Sequence, residues 1–239
     1  FVPVYTSATE GQGVQGLLHG TRERRTGGCA CFERERRMGE VTVEFKSDLP
    51  EEQHELVVRR VQVVPNFPKS GLVFKDLSHV IGDPKSFRYV IDLFVNRYRD
   101  MGITAVAGIE SRGFIFASPV ALGLKLPFVP FRKPGKLPCE SVGIDINLEV
   151  KRAGASSSSF GKDRLETHEG GINQGDKILI MDDMLGSGAT LKGACELCEK
   201  FGAVPVECAV ITELRGMKGR KMLEGYSVYV LLQEHDKKQ

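Results

Sequence analysis

Ile178-Leu-Ile-Met-Asp-Asp-Met-Leu-Gly-Ser-Gly-Ala-Thr190 joins two kinds of sequence within thirteen residues. From Lys177 to Met181 the apolar residues run without alternation, as in a strand covered on both faces. Two carboxylates, Asp182 and Asp183, follow at once. Small residues then lead into a helix from about Ala189 to Phe201, with Leu191, Ala194, Cys195, Cys198 and Phe201 at the spacing of one apolar face. A buried strand, a loop and a helix in that order form the repeating unit of an α/β domain.

The same alternation extends on both sides. Asp83-Pro84 pairs an N-cap with proline at the first helical position. Phe87, Val90, Ile91, Phe94, Tyr98 and Met101 then recur as a buried helical stripe, which Gly102 stops. Ile103 to Ile109 has the length of a strand. A second helix follows Glu110-Ser-Arg-Gly113 and runs to about Leu122, and Pro127 to Phe131 gives another strand. Val204 to Ile211 and Ser227 to Leu232 add two more. The fold class predicted is α/β, a mainly parallel twisted sheet flanked by helices. Ala153-Gly-Ala-Ser-Ser-Ser-Ser-Phe-Gly161 reads by composition as a flexible loop.

Composition narrows the function classes. The chain has 239 residues, 41% of them apolar, enough for a sizeable core in one domain. No run of about 18 apolar residues occurs, so a helical membrane span is not expected. Of 33 basic and 31 acidic residues, 27 of each fall in residues 38–239. A neutral body has no global field to gather nucleic acid, so any anion site is local. No signal-peptide pattern is present, and the six cysteines follow no disulfide or zinc spacing. Cys195 and Cys198 sit three apart on a helical face, which reads as core packing. A cytoplasmic protein with reduced thiols is expected.

Residues 1–37 differ from the rest. They hold six arginines and no lysine, show no periodicity, and precede the first methionine, Met38. They are read as a disordered or non-native extension, with one domain over residues 38–239. Gly11-Gln-Gly13-Val-Gln-Gly16 within them matches a dinucleotide fingerprint. It lacks the preceding strand and following helix on which that motif depends.

Ligands of doubly wound sheets sit beyond the C-terminal ends of the strands. Three loops stand there. Asp182 and Asp183 can accept hydrogen bonds from sugar hydroxyls. Gly186, Ser187, Gly188, Ala189 and Thr190 let the main chain and a helix N-terminus wrap a phosphate. Arg112, in the second loop, is placed for a diphosphate. The third, Arg132-Lys-Pro-Gly-Lys136, is a basic turn.

Together these loops resemble the type I phosphoribosyltransferase family, whose phosphoribosyl-pyrophosphate signature is similar to Ile178–Thr190. Asn66-Phe-Pro-Lys-Ser-Gly-Leu-Val-Phe-Lys-Asp76, Glu110-Ser-Arg-Gly-Phe114 and Arg132-Lys-Pro-Gly-Lys-Leu-Pro138 resemble its adenine-specific branch. The likeness runs from about Val61 to Gln233. It implies a small N-terminal hood over the sheet and a homodimer. It also implies Mg²⁺-dependent attack of adenine N9 on ribose C1 of phosphoribosyl pyrophosphate, giving AMP and pyrophosphate. On this basis Asp182 and Asp183 hold the ribose hydroxyls and Gly186 to Thr190 the 5-phosphate. Arg112, Lys133 and Lys136 bind the leaving pyrophosphate. Val73, Phe74 and Lys75 form the base side, Phe74 stacking on adenine. Mg²⁺ comes with phosphoribosyl pyrophosphate, and no residue is assigned as a metal ligand.

The chain departs from the family in a loop whose Leu-Glu-Tyr-Gly segment faces the base. Aligned forward from Leu137-Pro138, Leu148-Glu149 meets the Leu-Glu. Aligned backward from Lys162, Phe160-Gly161 meets the Tyr-Gly and Ser159 falls on the glutamate. The loop is about ten residues longer, and Glu149 is taken as the nominal general base. Lys75 stands for an arginine and Ala189 for a glycine. A catalytically impaired relative that retains nucleotide binding is the competing reading. A DNA-binding sensor of the same ligand would need a helix-turn-helix or basic face, which residues 1–60 do not offer.

Overall fold

Strand and helix alternate along the chain because the apolar residues change from a continuous run to a 3.6-residue period and back. The structure, a computed structural model, describes residues 43–68, 70–138, 140–150 and 159–235. The Arg-rich segment, Cys29, Cys31, Cys139 and most of the Ser-rich stretch lie outside them.

The elements run β1 (Glu44–Lys46), α1 (Glu51–Val58), β2 (Gln62–Pro65), β3 (Val73–Asp76), α2 (Ser78–Gly82) and α3 (Pro84–Tyr98). Then come β4 (Ala105–Ile109), α4 (Arg112–Leu124), β5 (Phe128–Phe131), β6 (Ser141–Val150), β7 (Ser159–His168) and β8 (Lys177–Leu185). The chain closes with α5 (Ala189–Lys200), β9 (Val204–Glu213), α6 (Gly219–Met222), β10 (Val228–Val230) and β11 (Gln233–His235). Five strands form the central sheet in the order β10-β9-β8-β4-β5, all parallel. Among the described residues three antiparallel pairs stand outside it: β1 with β11, β2 with β3, and β6 with β7.

Both faces of β8 are buried, which explains its unbroken apolar run. Leu179 and Met181 pack into one core with Phe94 of α3 and Phe116 of α4. Ile178 and Ile180 pack into the other with Leu191 and Leu197 of α5. Cys195 and Cys198 are fully buried in that second core, as core packing predicts. The near partner of Cys195 is not Cys198 but Cys208 of β9, with the sulfurs 3.4 Å apart.

Helix α3 begins as expected, the Asp83 carboxylate accepting the Ser86 amide at 2.9 Å. It ends at Tyr98, so Met101 falls in the following turn and is exposed, not in the buried stripe. Strands β8 and β9 run farther than their apolar cores suggest. Asp182 pairs with Val210 and Leu185 with Glu213, so the acid pair lies within the sheet instead of starting a loop.

Of the segment read as a flexible loop, Ala153 to Gly161, the last three residues are instead paired strand in β7, and residues 153–158 lie outside the described residues. β6 and β7 pair in register from Ser141 opposite His168 to Val150 opposite Ser159. Ile146 and Leu165 anchor this hairpin in the α5 core, while Arg164 bonds Asp145 and Glu166. The apolar–polar alternation of Ile144, Asp145 and Ile146 was a usable strand signal, masked by the serines downstream.

Candidate active site

The extended ends of β8 and β9 bring three loops to one side of the sheet. Beyond β8, α5 starts after Gly188, whose φ of +83° suits glycine. A side chain there would also put its Cβ 2.5 Å from the Gly219 carbonyl, so glycine lets the loop pack against α6. No side chain caps Gly188 at the start of α5, and Ser187 Oγ accepts only a long bond from the Ala189 amide, at 3.4 Å. The partial positive charge of the first helical turn is therefore left available to an anion. Gly113 allows the same closeness on the other side, its absent Cβ lying 2.7 Å from the Met181 carbonyl.

A cavity of about 580 Å³ opens over this junction. Its wall has a polar part, Asp182, Asp183, Gly186, Ser187, Gly188 and Thr190, and an apolar part, Phe67, Leu72, Phe74, Leu214 and Met217. The two parts meet where the Met217 sulfur lies against Gly186. Phe67 meets Phe74 edge to face, with ring centroids 5.0 Å apart. Arg112 spans the two parts. Its Nη1 lies 3.0 Å from Asp183 Oδ2, and its guanidinium carbon lies 5.6 Å from the centre of the Phe74 ring.

The acid pair is electrostatically loaded. Burial first, and then the charge of Asp183, push the Asp182 carboxyl well above the usual carboxylate range. Burial also raises Asp183, against the opposing pull of Arg112. Two desolvated carboxylates side by side favour a ligand that brings hydroxyl donors or positive charge. A polar part that takes an anion and donors, joined to an aromatic shelf, suits a phosphorylated sugar carrying a planar base.

Six more residues assigned from the sequence fall elsewhere. Lys133 and Lys136 stand outside the cavity, on a turn built around Glu110. The Glu110 carboxylate accepts from the Lys133 amide at 3.0 Å and from Arg132 Nε at 3.2 Å. Lys133 Nζ lies 3.4 Å from Asp163 of β7, and Lys136 is exposed. The adjoining Glu110–Ser111 peptide is cis. Val73 is half-buried in β3 and is not part of the cavity wall. Ala189 is packed in the α5 core. Lys75 is buried away from the cavity, its ammonium paired with Glu234 and donating to the Glu213 carbonyl at 3.2 Å. Glu149 stands near the end of β6, its Cα opposite that of Phe160.

Sequence reasoning passed over Phe67, Leu72, Met184, Leu191, Leu214 and Met217, all in the wall. Phe67 and Leu72 lie in the Asn66–Asp76 stretch and could have been found there. Leu214 and Met217 carry no local signal, because their place depends on how far β9 extends. Among the described residues no three His, Cys, Asp or Glu side chains group as metal donors, and no helix is long and apolar enough to cross a membrane.

The chain was compared with known proteins. A family model described as the phosphoribosyl transferase domain matches residues 80–238. Adenine phosphoribosyltransferase 4 of Arabidopsis thaliana is 47% identical over 174 residues, covering 73% of this chain and 90% of that protein. The crystal structure of adenine phosphoribosyltransferase from Rhodothermus marinus is similar with a TM-score of 0.67 and 36% identity, over 77% of this chain and 99% of the other. That of the Saccharomyces cerevisiae enzyme, complexed with an imino-altritol bisphosphate and adenine, gives 0.65 and 30%, over 75% and 98%.

Proposed function

This chain belongs to the type I phosphoribosyltransferase family, in its adenine phosphoribosyltransferase branch, and from that membership we propose how its residues carry the reaction. It is an adenine phosphoribosyltransferase of purine salvage, converting adenine and phosphoribosyl pyrophosphate to AMP and pyrophosphate. The observation that supports the assignment of roles is the single cavity joining the acid pair and the α5 N-terminus to the Phe74 shelf, with Arg112 between them.

Asp182 and Asp183 accept from the ribose hydroxyls. The 5-phosphate sits on the Gly186–Thr190 main chain at the start of α5. Adenine stacks against Phe74, so its N9 and the ribose C1 meet between the two parts. As the C1–oxygen bond breaks, positive charge grows on the sugar and negative charge on the departing pyrophosphate. Arg112 neutralises the latter, helped by Lys133 and Lys136 from the adjacent turn. Glu149 takes the N9 proton, directly or through the base.

Mg²⁺ is proposed to arrive with phosphoribosyl pyrophosphate. Asp182 or Asp183 would help hold it, and its charge would ease departure of the leaving group. The protein is further proposed to be a cytoplasmic homodimer.

The test is AMP formation by the full chain from adenine, phosphoribosyl pyrophosphate and Mg²⁺, followed chromatographically. Turnover that disappears on chelation is the expected result. Binding of AMP without any turnover would overturn the catalytic roles while leaving the ligand scaffold standing.

A further inference from the structure

The base shelf is carried on a weakly built element. β2 and β3 form a two-stranded hairpin of four residues each, paired, among the described residues, only with each other. Two strands alone are marginally stable in water, so something else must fix this hairpin on the body. Successive side chains in β3 point to opposite sides. Phe74 goes to the cavity and Lys75 to the interior, where only 2% of its side chain is exposed. A buried ammonium is tolerated only when paired, and this one is held from two directions. Glu234 of β11 supplies a carboxylate, and Glu213 at the end of β9 supplies its carbonyl at 3.2 Å.

Glu213 is a stiff anchor. Its register partner is Leu185, two residues beyond the acid pair on β8, and its own carboxylate is held by Arg220 Nη2 at 2.7 Å. One ammonium therefore links the strand bearing the base shelf to the strand pair bearing Asp182 and Asp183.

We propose that Lys75 is a positioning residue: its buried ammonium fastens the β2–β3 hairpin to the ends of β9 and β11 and so sets Phe74 at the distance from the ribose site that adenine needs. The inference rests on the adenine-transfer reading above. It assigns Lys75 no contact with substrate. Loosening this link moves the base end of the cavity and leaves the ribose-phosphate end in place. Reacting atoms must approach to about 3–3.5 Å, so a small shift of the shelf is felt by one substrate only.

The experiment compares Lys75→Met, Lys75→Arg and Glu234→Gln with the unaltered chain. Lys75→Met and Glu234→Gln should raise KM for adenine about tenfold and leave KM for phosphoribosyl pyrophosphate within about twofold. Lys75→Arg, which keeps the charge, should recover most of the loss. Direct binding provides the same split without turnover: AMP should weaken about tenfold and ribose 5-phosphate should not. An unchanged AMP affinity in a folded Lys75→Met protein would overturn the proposal, as would equal weakening of both ligands. Should Lys75→Met fail to melt cooperatively, Glu234→Gln and Lys75→Arg decide the matter. Absence of turnover in the unaltered chain would count against the enzymatic reading, while the binding comparison would still judge Lys75.

Discussion

The loop between β8 and α5 and the hairpin of β6 and β7 depart from the family pattern to very different effect. In the first, Ala189 stands for a glycine, yet Gly188 and Thr190 on either side of it still line the cavity. On the proposed reading its work falls to main-chain N–H groups, two glycines and a strand end, which a methyl group directed into the α5 core leaves untouched. In the second, a longer connection separates Glu149 from Phe160 along the chain. On the same reading its work falls to one carboxylate, whose value depends on where it is carried. A departure from a family motif has to be weighed by whether the main chain or a side chain performs the chemistry.

The hairpin register bears on the two alignments that the sequence allows. Leu148 lies opposite Gly161 and Glu149 opposite Phe160, so the parts of the split motif meet across the strands. The largest effect expected in the molecule follows. Glu149→Gln should lower kcat by about 10²–10⁴-fold, the usual worth of a general acid or base, with KM for phosphoribosyl pyrophosphate little changed. Ser159→Ala should do almost nothing. A reversed pair of results would put Ser159 at that position, leave the site without a general base, and break the contrast with the β8–α5 loop.

Asp183→Asn sharpens the other side. Hydrogen bonds to charged groups contribute about 1.5–3 kcal/mol, so affinity for phosphoribosyl pyrophosphate should fall by about 10–10²-fold. Arg112 should lose the charge of its 3.0 Å partner at the same time. A titration that finds the affinity unchanged would remove the acid pair from the ribose site.

The two regions also differed in how well the sequence disclosed them. The central strands, α3 and α5 were legible because burial on both faces, a capping aspartate and a 3.6-residue stripe are local signals. So were Asp182, Asp183 and the small residues before α5. The hairpin was not, because its ten-residue register is a pairing across the chain and the serines between its arms read as loop. Within the site, Arg112 and Phe74 were found from motifs. Lys75 was assigned to the base side by motif position, and only the pairing of β3 reveals that its side chain faces the interior. Leu214 and Met217 were unreadable, since the length of β9 is decided by its pairing with β8.

A smaller effect separates binding from stability within the acid pair. A carboxyl whose folded pKa is raised holds its proton more tightly in the folded chain. Its stabilising contribution is complete below the ordinary carboxylate range and is lost as pH rises through the raised value. Asp182 is in that position, through burial and the neighbouring charge. Asp182→Asn keeps the oxygen that accepts the Asp183 amide at 2.9 Å and removes the charge. The ligand-free protein should then melt higher than the unaltered chain near pH 8, by about 2–4 °C for each kcal/mol recovered. The gain should vanish toward pH 4, while ligand affinity falls. An equal gain at both pH values would show that packing, not charge, was relieved.

The smallest effect tests the premise of the comparison. If the phosphate end works through its main chain, Ala189→Gly should leave KM for phosphoribosyl pyrophosphate within about twofold, because the N–H at that position is retained. The cost should appear in stability instead. A methyl group leaves a core in which Ala189 is 6% exposed, and glycine costs a helix roughly 1 kcal/mol relative to alanine. For a domain of this size that corresponds to a fall of about 2–4 °C in Tm. A gain in affinity with no loss of Tm would mean that the methyl group obstructs the anion. The β8–α5 loop would then have departed at a cost of its own, and the distinction between main-chain and side-chain work would not hold there.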